Sequence, residues 1–205
     1  MDYYNRLFNR YPQLRVIKKE IWDAFTIMKE AFTAGKKLLI CGNGGSAADA
    51  EHIVGELMKG FHLSRQLCEE EQQKYGVLAQ GLQGALPAIA LSNHAALSTA
   101  FSNDVDPHMV FAQQVYGYGE CGDVFLGIST SGNSQNVVNA ALVARGKGMK
   151  VVTFLGKSGG KLKELSDVAI IVPGEDTADI QELHLPVYHA LCSMLEEAFW
   201  GEQCK

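Results

Sequence analysis

Five short apolar runs divide the chain at intervals along its length. They cover residues 37–41, 88–92, 124–129, 150–155 and 168–172, and turn residues bound each of them. Helical patterns of apolar and polar positions separate most of the runs. Short buried strands that alternate with helices are typical of a parallel sheet covered on both faces. The pattern predicts an α/β fold with a five-stranded parallel sheet flanked by helices.

Two amphipathic stripes lie near the ends of the chain. Before the first run, apolar side chains recur every three or four residues, at Leu14, Ile17, Ile21, Phe25, Met28 and Phe32. The late stripe comprises Leu191, Met194, Leu195, Ala198 and Phe199. Both predict helices with one apolar face, which either packs on the sheet or builds a subunit interface. We assign residues 1–34 to an N-terminal helical segment.

The stretch 62–86 fits neither pattern. It carries an acidic and polar run at 69–73 and a glycine-spaced stretch at 81–84. We interpret it as an insertion that makes a surface excursion, with a lid over a cleft or an interface element as the alternatives. No linker rich in Pro, Gly and Ser divides the rest of the chain, so we predict a single domain over 1–205.

Composition narrows the class of protein. The 205 residues are 47% hydrophobic, which is ample for the core of one α/β domain. A net charge of −5 argues against nucleic-acid binding, because that needs a basic surface. No apolar run approaches the length that spans a membrane. The cysteines Cys41, Cys68, Cys121, Cys192 and Cys204 are scattered, so we expect reduced thiols in a cytoplasmic protein.

Two loops rich in Gly and Ser follow the first and third runs. The loop after the first run comprises Gly42, Asn43, Gly44, Gly45 and Ser46. The loop after the third comprises Ser129, Thr130, Ser131, Gly132, Asn133 and Ser134. A loop that joins a strand to a helix N-terminus directs free N–H groups at one point, where an anion is favoured. Alone, such a loop is more often an ordinary turn with a helix cap.

Together the two loops indicate one small-molecule site. Parallel strands present their carboxyl ends along the same edge of a sheet, so the loops would form two walls of one cleft. The loop at 129–134 lacks the Gly-Lys-Ser/Thr ending of a nucleotide P-loop. A single phosphate monoester on a polyol is the better match, and we expect no nucleotide or organic cofactor.

Candidate acid and base groups lie on the helices. His52 and Glu56 are four residues apart on the helix that starts at the first loop, so both face the same side. Taken alone, this spacing is more often an exposed pair on a solvated helix. His189 lies among apolar side chains, as a core histidine would, and His184 lies close by as an alternative candidate.

Four motifs in order carry a resemblance to a known family. They are CGNGGSAADAEH at 41–52, SND at 102–104, GISTSGNS at 127–134, and DIQELH at 179–184 followed by His189. In these motifs the chain resembles the phosphoheptose isomerases of the sugar-isomerase (SIS) domain family, over nearly its whole length except 62–86. The resemblance implies a flavodoxin-like SIS domain and a homotetramer with sites at subunit boundaries. It also implies interconversion of sedoheptulose 7-phosphate with D-glycero-D-manno-heptose 7-phosphate, a step of heptose biosynthesis.

The same resemblance implies a role for each matching residue. Phosphate would be bound by Ser129, Thr130, Ser131 and Ser134. The sugar would be contacted by Asn43, Gly44, Gly45, Ser46, Asn103 and Asp104. Glu56 would be the catalytic base and His189 its acid/base partner, with Gln181 beside them. Some members bind zinc through the equivalents of His52, Glu56, Gln181 and His189, and all four residue types are present here.

The chain departs from the family pattern in two places. The arginine that often follows the catalytic glutamate is absent, so a basic substrate contact is either shifted to Lys59 or missing. Pro186 lies between Gln181 and His189, where a helix would either kink or begin. The geometry that links Gln181 to His189 is therefore left open by the sequence.

Two other functions remain open. One is a non-catalytic SIS protein of the replication-initiator-associating type, which lacks the glutamate that this chain has at Glu56. The other is an isomerase or sensor for a different sugar phosphate, which the stretch 62–86 makes plausible. Isomerisation assays on sugar phosphates of several lengths would separate the three interpretations.

Overall fold

A sheet of five parallel strands forms the centre of the computed structural model, which describes residues 2–201. The strands are β1 (Leu38–Cys41), β2 (Ala88–Ala90), β3 (Val124–Ser129), β4 (Lys150–Leu155) and β5 (Val168–Ile171). They are arranged in the order β2-β1-β3-β4-β5, and every pair is parallel. This is the strand order of the flavodoxin-like fold, so the predicted fold class is confirmed.

Helices cover both faces of this sheet. The α-helices are α1 (Tyr3–Arg10), α2 (Lys18–Thr33), α3 (Gly45–Met58), α4 (Glu69–Tyr75), α5 (Ala95–Asp104), α6 (Val110–Tyr118), α7 (Gln135–Gly146), α8 (Gly160–Leu165) and α9 (Thr177–Trp200). Short 3-10 helices lie at Pro12–Ile17, Gly76–Gly81, Leu91–Asn93 and Pro107–Met109. None of the helices in this part of the chain is long and apolar enough to cross a membrane.

Strand β1 shows how the sheet divides the core. Leu38 and Ile40 lie in one apolar cluster with side chains of α1, α2, α3 and α9. Leu39 and Cys41 lie in a second cluster with side chains of α6, α7 and α8. The division follows from the alternation of side chains along a strand. Because both faces are buried, the strand is apolar at every position.

Two predicted elements differ in the structure. The stripe that starts at Leu14 is split between the 3-10 helix Pro12–Ile17 and α2, and α1 precedes both. The break lies at Tyr11 because a residue before proline is disfavoured in the helical region. The apolar run 88–92 forms strand only to Ala90, where the edge strand β2 turns into a 3-10 helix.

The stretch 62–86 lies largely outside the two apolar clusters. Neither α4 nor the 3-10 helix Gly76–Gly81 contains a buried residue. Three glutamates occupy the first turn of α4, where the helix dipole favours acidic side chains. This placement is that of a surface excursion, and its status as an insertion stays a prediction.

The described cysteines are free thiols. Cys41 and Cys192 are buried, whereas Cys68 and Cys121 are exposed. Cys204 lies outside the described residues.

Candidate active site

The two Gly/Ser loops lie side by side at the carboxyl edge of the sheet. They leave the ends of β1 and β3, which are hydrogen-bonded neighbours. Asn43 and Asn136 join the loops through reciprocal amide bonds, with Asn43 donating at 3.0 Å and Asn136 donating at 2.8 Å. The structure thus places the two loops next to each other, whereas their role as two walls of one small-molecule site stays a prediction. The amide group of Asn43 is engaged in this bridge, and its predicted sugar contact stays a prediction.

The loop after β3 is closed by its own hydroxyl groups. Ser129 Oγ lies 2.9 Å from Ser134 Oγ, and Asn133 N–H donates to Ser131 Oγ at 3.2 Å. Gly132 has a φ of +67°, and a Cβ there would overlap Gly159 O, so only glycine fits. Ser134 precedes α7 but its hydroxyl does not cap the helix. Val137 N–H donates to Asn136 Oδ1, so the N–H groups of Gln135 and Asn136 are the ones left available to an anion.

The loop after β1 leads into α3 through glycines. Gly44 has a φ of +55°, a conformation that side-chain-bearing residues rarely adopt. A Cβ at Gly45 would lie 2.7 Å from Gln181 Nε2, so glycine allows the α9 amide to pack on the start of α3. Ser46 is buried in the first helical turn. Within residues 2–201 no side-chain hydrogen bond joins Gln181 to His52, Glu56 or His189, so Gln181 is placed at the loop.

Helices α3 and α9 bring the predicted base and its histidine partner together. His52 Nε2 lies 3.2 Å from Glu56 Oε1 and 3.4 Å from His189 Nε2. The side chain of Glu56 is 14% exposed, and its Oε2 is buried without a hydrogen-bond partner. The Lys59 ammonium lies 3.9 Å from that oxygen. A carboxylate with a free oxygen beside two imidazoles is suited to proton transfer.

Tyr188 and Asp49, which were not among the candidate residues from the sequence, orient His52. The Tyr188 hydroxyl donates to Asp49 Oδ1 at 3.2 Å and lies 3.0 Å from His52 Nδ1. Burial raises the pKa of Tyr188, so the hydroxyl keeps its proton at neutral pH. Because the Tyr188 hydroxyl uses its proton to donate to Asp49, its oxygen accepts a hydrogen bond from Nδ1–H of His52. The free lone pair of His52 then lies on Nε2, facing Glu56 and His189.

The structure separates the two candidate histidines of α9. His184 is wholly buried and donates from Nε2 to Leu155 O at 3.1 Å. Burial lowers the pKa of His184 to about 4, so it is a neutral core histidine. Burial, together with neighbouring His52, also lowers the pKa of His189. Only His189 reaches the cluster around Glu56.

Pro186 does not interrupt α9. The helix runs continuously over Thr177–Trp200 with the proline inside, so the alternative that a helix begins at Pro186 is wrong. The proline deprives the Glu182 carbonyl of its helical donor, and Glu182 is exposed to water. One helix therefore carries both Gln181 and His189, about 12 Å apart along its axis.

A cleft of about 340 Å³ opens beside His189. Its walls come from α1, which contributes Arg10, from α9, and from Phe61 and His62 in the segment that follows α3. His62 Nε2 lies 3.1 Å from Ser193 Oγ, which fixes the imidazole in the wall. The cleft gives a small polar molecule access to His189, and the loop at 129–134 does not line it.

Asn103 and Asp104 lie apart from this cluster. Both end helix α5 and are exposed, and Asn103 Nδ2 donates to Asp104 Oδ1 at 2.8 Å. Across residues 2–201 no side-chain hydrogen bond joins either of them to the two loops or to Glu56. Their predicted contact with the sugar stays a prediction.

Three of the four predicted zinc donors converge. The 3.2 and 3.4 Å distances from His52 Nε2 to Glu56 Oε1 and His189 Nε2 match about 3.3 Å, the edge of a zinc tetrahedron with bonds of about 2.0 Å. The fourth donor, Gln181, packs on Gly45 instead. In the described part of the chain, no group of three or more His, Cys, Asp and Glu side chains forms a ready-made metal centre. The donor types fit zinc, whereas the complete set is not assembled.

Sequence comparison identifies the family. The profile described as SIS domain matches residues 2–73 and 64–156. The chain therefore belongs to the SIS domain family. The phosphoheptose isomerase of a Nitratiruptor species is 43% identical over 183 residues, which cover 89% of this chain and 88% of that protein.

Solved structures give the same result. The phosphoheptose isomerase from Francisella tularensis has a TM-score of 0.77 at 32% identity, and the match covers 94% of this chain and 96% of that one. The phosphoheptose isomerase from Neisseria gonorrhoeae has a TM-score of 0.76 at 32% identity, covering 95% and 93%. Within the SIS domain family, the chain is thus similar to phosphoheptose isomerases over almost its full length.

Proposed function

We propose that the protein is a phosphoheptose isomerase, which interconverts sedoheptulose 7-phosphate and D-glycero-D-manno-heptose 7-phosphate. The observation that carries this proposal is the Glu56 carboxylate, which is held against His52 and His189 with one oxygen free of hydrogen bonds. The relatives named phosphoheptose isomerase support the reaction class. The anion-binding loop favours a sugar that carries one phosphate, and the resemblance favours a seven-carbon sugar.

The reaction needs two kinds of proton transfer. An aldose–ketose isomerisation moves one proton between adjacent carbons and another between their oxygens. Glu56 takes the proton from carbon, and the resulting enediol is reprotonated at the neighbouring carbon. His189, which its lowered pKa keeps neutral near pH 7, moves the proton between the oxygens. The loop at 129–134 holds the phosphate at the far end of the sugar.

A non-catalytic SIS protein is the alternative function. That type lacks the glutamate, whereas this chain has Glu56 and pairs it with His52. The contacts from Asp49 through Tyr188 to His52 orient an imidazole beside that glutamate, as acid/base chemistry needs. The enzyme is therefore the better supported function.

Hydrogen exchange tests the base. In heavy water, sedoheptulose 7-phosphate should gain deuterium at carbon 1 or yield aldose labelled at carbon 2. Glu56→Gln keeps the size of the side chain but removes its basicity, so exchange and turnover should fall by about a hundredfold or more. Glu51→Gln on the same helix is the matched control and should retain both rates. Near-normal exchange by Glu56→Gln would mean that the base is misassigned. If the unaltered protein is inactive on every sugar phosphate tested, the non-catalytic alternative is favoured.

We also propose that the site binds zinc through His52, Glu56, Gln181 and His189. Bound there, zinc would polarise the oxygens of the substrate. Protein purified without chelator should contain stoichiometric zinc, His52→Ala should lose it, and His108→Ala, at an exposed position, should keep it. Substoichiometric metal, together with activity that added zinc leaves unchanged, would exclude the site.

We propose further that the protein is a cytoplasmic homotetramer. Exposed apolar side chains on the N-terminal helical segment, Val16 and Trp22 among them, support an interface between copies.

A further inference from the structure

A buried ion pair lies behind the helix that carries Glu56. Arg65 Nε donates to Glu196 Oε1 at 2.8 Å, and the two side chains are 0% and 1% exposed. The guanidinium also lies 4.6 Å from the ring centre of Trp200. The cost of removing two charges from water offsets much of their attraction, so stability alone does not account for such a pair. Its remaining contacts indicate a second role.

Arg65 binds the end of α3. Its Nη2 donates to Glu56 O at 2.8 Å, and its Nη1 donates to Leu57 O at 2.5 Å. Helix α3 ends at Met58, so these two carbonyls have no donor within the helix. A cation at a helix C-terminus is also favoured by the helix dipole. The guanidinium therefore fixes the backbone of the turn from which the Glu56 side chain projects.

Glu196 fixes the backbone of the segment that lines the cleft beside His189. Its carboxylate accepts N–H bonds from Phe61 and His62 at 2.7 Å and from Leu63 at 3.2 Å. The ring of Phe61 lies 5.6 Å from the ring of His189. One buried carboxylate on α9 thus connects the end of α3, through Arg65, to the chain beside His189.

We propose that Arg65 and Glu196 are positioning residues for the isomerase reaction. They hold the last turn of α3, and through it the Glu56 carboxylate, at the separation from His52 that proton transfer needs. Neither residue touches the substrate. The inference rests on the proposed role of Glu56 as the base.

Arg65→Lys is the first test. Lysine keeps the charge and can pair with Glu196, but it lacks the planar fork that reaches two carbonyls at once. A displacement of about 1 Å at a catalytic group costs about a hundredfold in rate, so kcat should fall on that scale. KM for the sugar phosphate should stay close to its original value, because the anion-binding loop is untouched.

A second ion pair, with a buried carboxylate and a partly exposed ammonium, supplies the control. Asp123 is 1% exposed, lies 2.8 Å from the Lys37 ammonium, and accepts N–H bonds from Lys37 at 3.0 Å and Glu120 at 2.8 Å. It directly precedes β3, at the edge of the sheet opposite the two loops. Glu196→Gln and Asp123→Asn should therefore lower the melting temperature alike, whereas only Glu196→Gln should lower kcat.

The outcomes distinguish a positioning role of Arg65 and Glu196 from a role in stability alone. Unchanged kcat in Arg65→Lys, or an equal loss of kcat in Asp123→Asn, overturns the proposal. If Glu196→Gln does not fold, Arg65→Lys decides. If the unaltered protein isomerises no sugar phosphate, the proposed function fails, and a crystal structure of Arg65→Lys then tests positioning alone. A Glu56 Oε1 that still lies about 3.2 Å from His52 Nε2 in that structure overturns it.

Discussion

The single proton of the Tyr188 hydroxyl determines which nitrogen of His52 is free. The hydroxyl lies between Asp49 Oδ1 and His52 Nδ1, and it donates to the carboxylate. Burial raises the pKa of Asp49, and its Oδ2 has no hydrogen-bond partner. The Asp49 side chain therefore depends on Tyr188 for its described hydrogen bond, and His52 depends on Tyr188 for its tautomer.

Replacing Tyr188 with Phe tests this relay. The ring still fills its buried place, so the fold should persist, but His52 loses the partner of Nδ1. Partners of this kind are worth about 10- to 100-fold in activity or metal affinity, so kcat should fall within that range. Tyr116→Phe, at an exposed position on α6, is the control and should leave kcat unchanged. A Tyr188→Phe protein with full kcat would show that the hydroxyl does not orient His52.

The candidate residues differ in how far the sequence could reveal them. The spacing of His52 and Glu56 placed both side chains on one helical face, and the family resemblance supplied their roles. Asp49 had a weak signal of the same kind, since positions 49, 52 and 56 share one helical face. The contact between Asp49 and Tyr188 had no signal in the sequence, because 139 residues separate the two positions.

Among the secondary-structure elements, the strands that are buried on both faces were predicted most accurately from the sequence. Strands β3 and β4 coincide with their apolar runs because flanking helices keep nearly every position apolar. Strand β2 is the edge strand and pairs only with β1, so its run stops being strand after Ala90. The 3-10 helix Pro12–Ile17 has the same apolar stripe as an α-helix, so periodicity alone did not distinguish them.

The exposed arm, defined as residues 66–83, leaves and rejoins the fold at one place. Gly84 N–H donates to Arg65 O at 2.7 Å, and Gly60 N–H donates to Gln83 Oε1 at 2.8 Å. A Cβ at Gly84 would lie 2.7 Å from the Trp200 ring, so glycine seats the returning chain against α9. The two ends of the exposed arm are thus fixed without help from its middle.

Excision of the exposed arm tests whether it is a lid. Joining Arg65 to Gly84 by a turn of about two residues should preserve the fold and the isomerase kcat, because the ends already meet. Thermal unfolding and turnover measure both. Gly84→Ala, which forces a side chain against Trp200, is the contrasting variant and should lower the melting temperature. Loss of kcat on excision, with the melting temperature retained, would make the exposed arm a functional lid instead.

At the scale of the whole molecule, an apolar groove remains on the N-terminal side. It has a volume of about 260 Å³ and is lined by residues of α1, α2 and α9, including Tyr4, Trp22 and Met194. Trp22 is 48% exposed and Val16 is 73% exposed. A contiguous apolar surface, in contrast to a single exposed apolar side chain, often marks an interface with another protein surface.

Light scattering tests the assembly. The unaltered protein should have four times the 22.3 kDa mass of one chain. Trp22→Glu places a charge in the groove, so it should give smaller species and, with sites at subunit boundaries, lower activity. Leu142→Glu, at an exposed position on α7, is the control and should leave the mass unchanged. A monomeric unaltered protein would refute the tetramer.

The bond between Arg65 O and Gly84 N–H also makes this position permissive for added polypeptide. The entropy of closing a loop grows slowly, by about 0.6 kcal/mol for each doubling of its length. A longer sequence, or a separate folded module with adjacent termini, can therefore be grafted between these residues at small thermodynamic cost. Such a graft would give the enzyme a handle for immobilisation on a support, remote from the sheet edge where the two Gly/Ser loops meet.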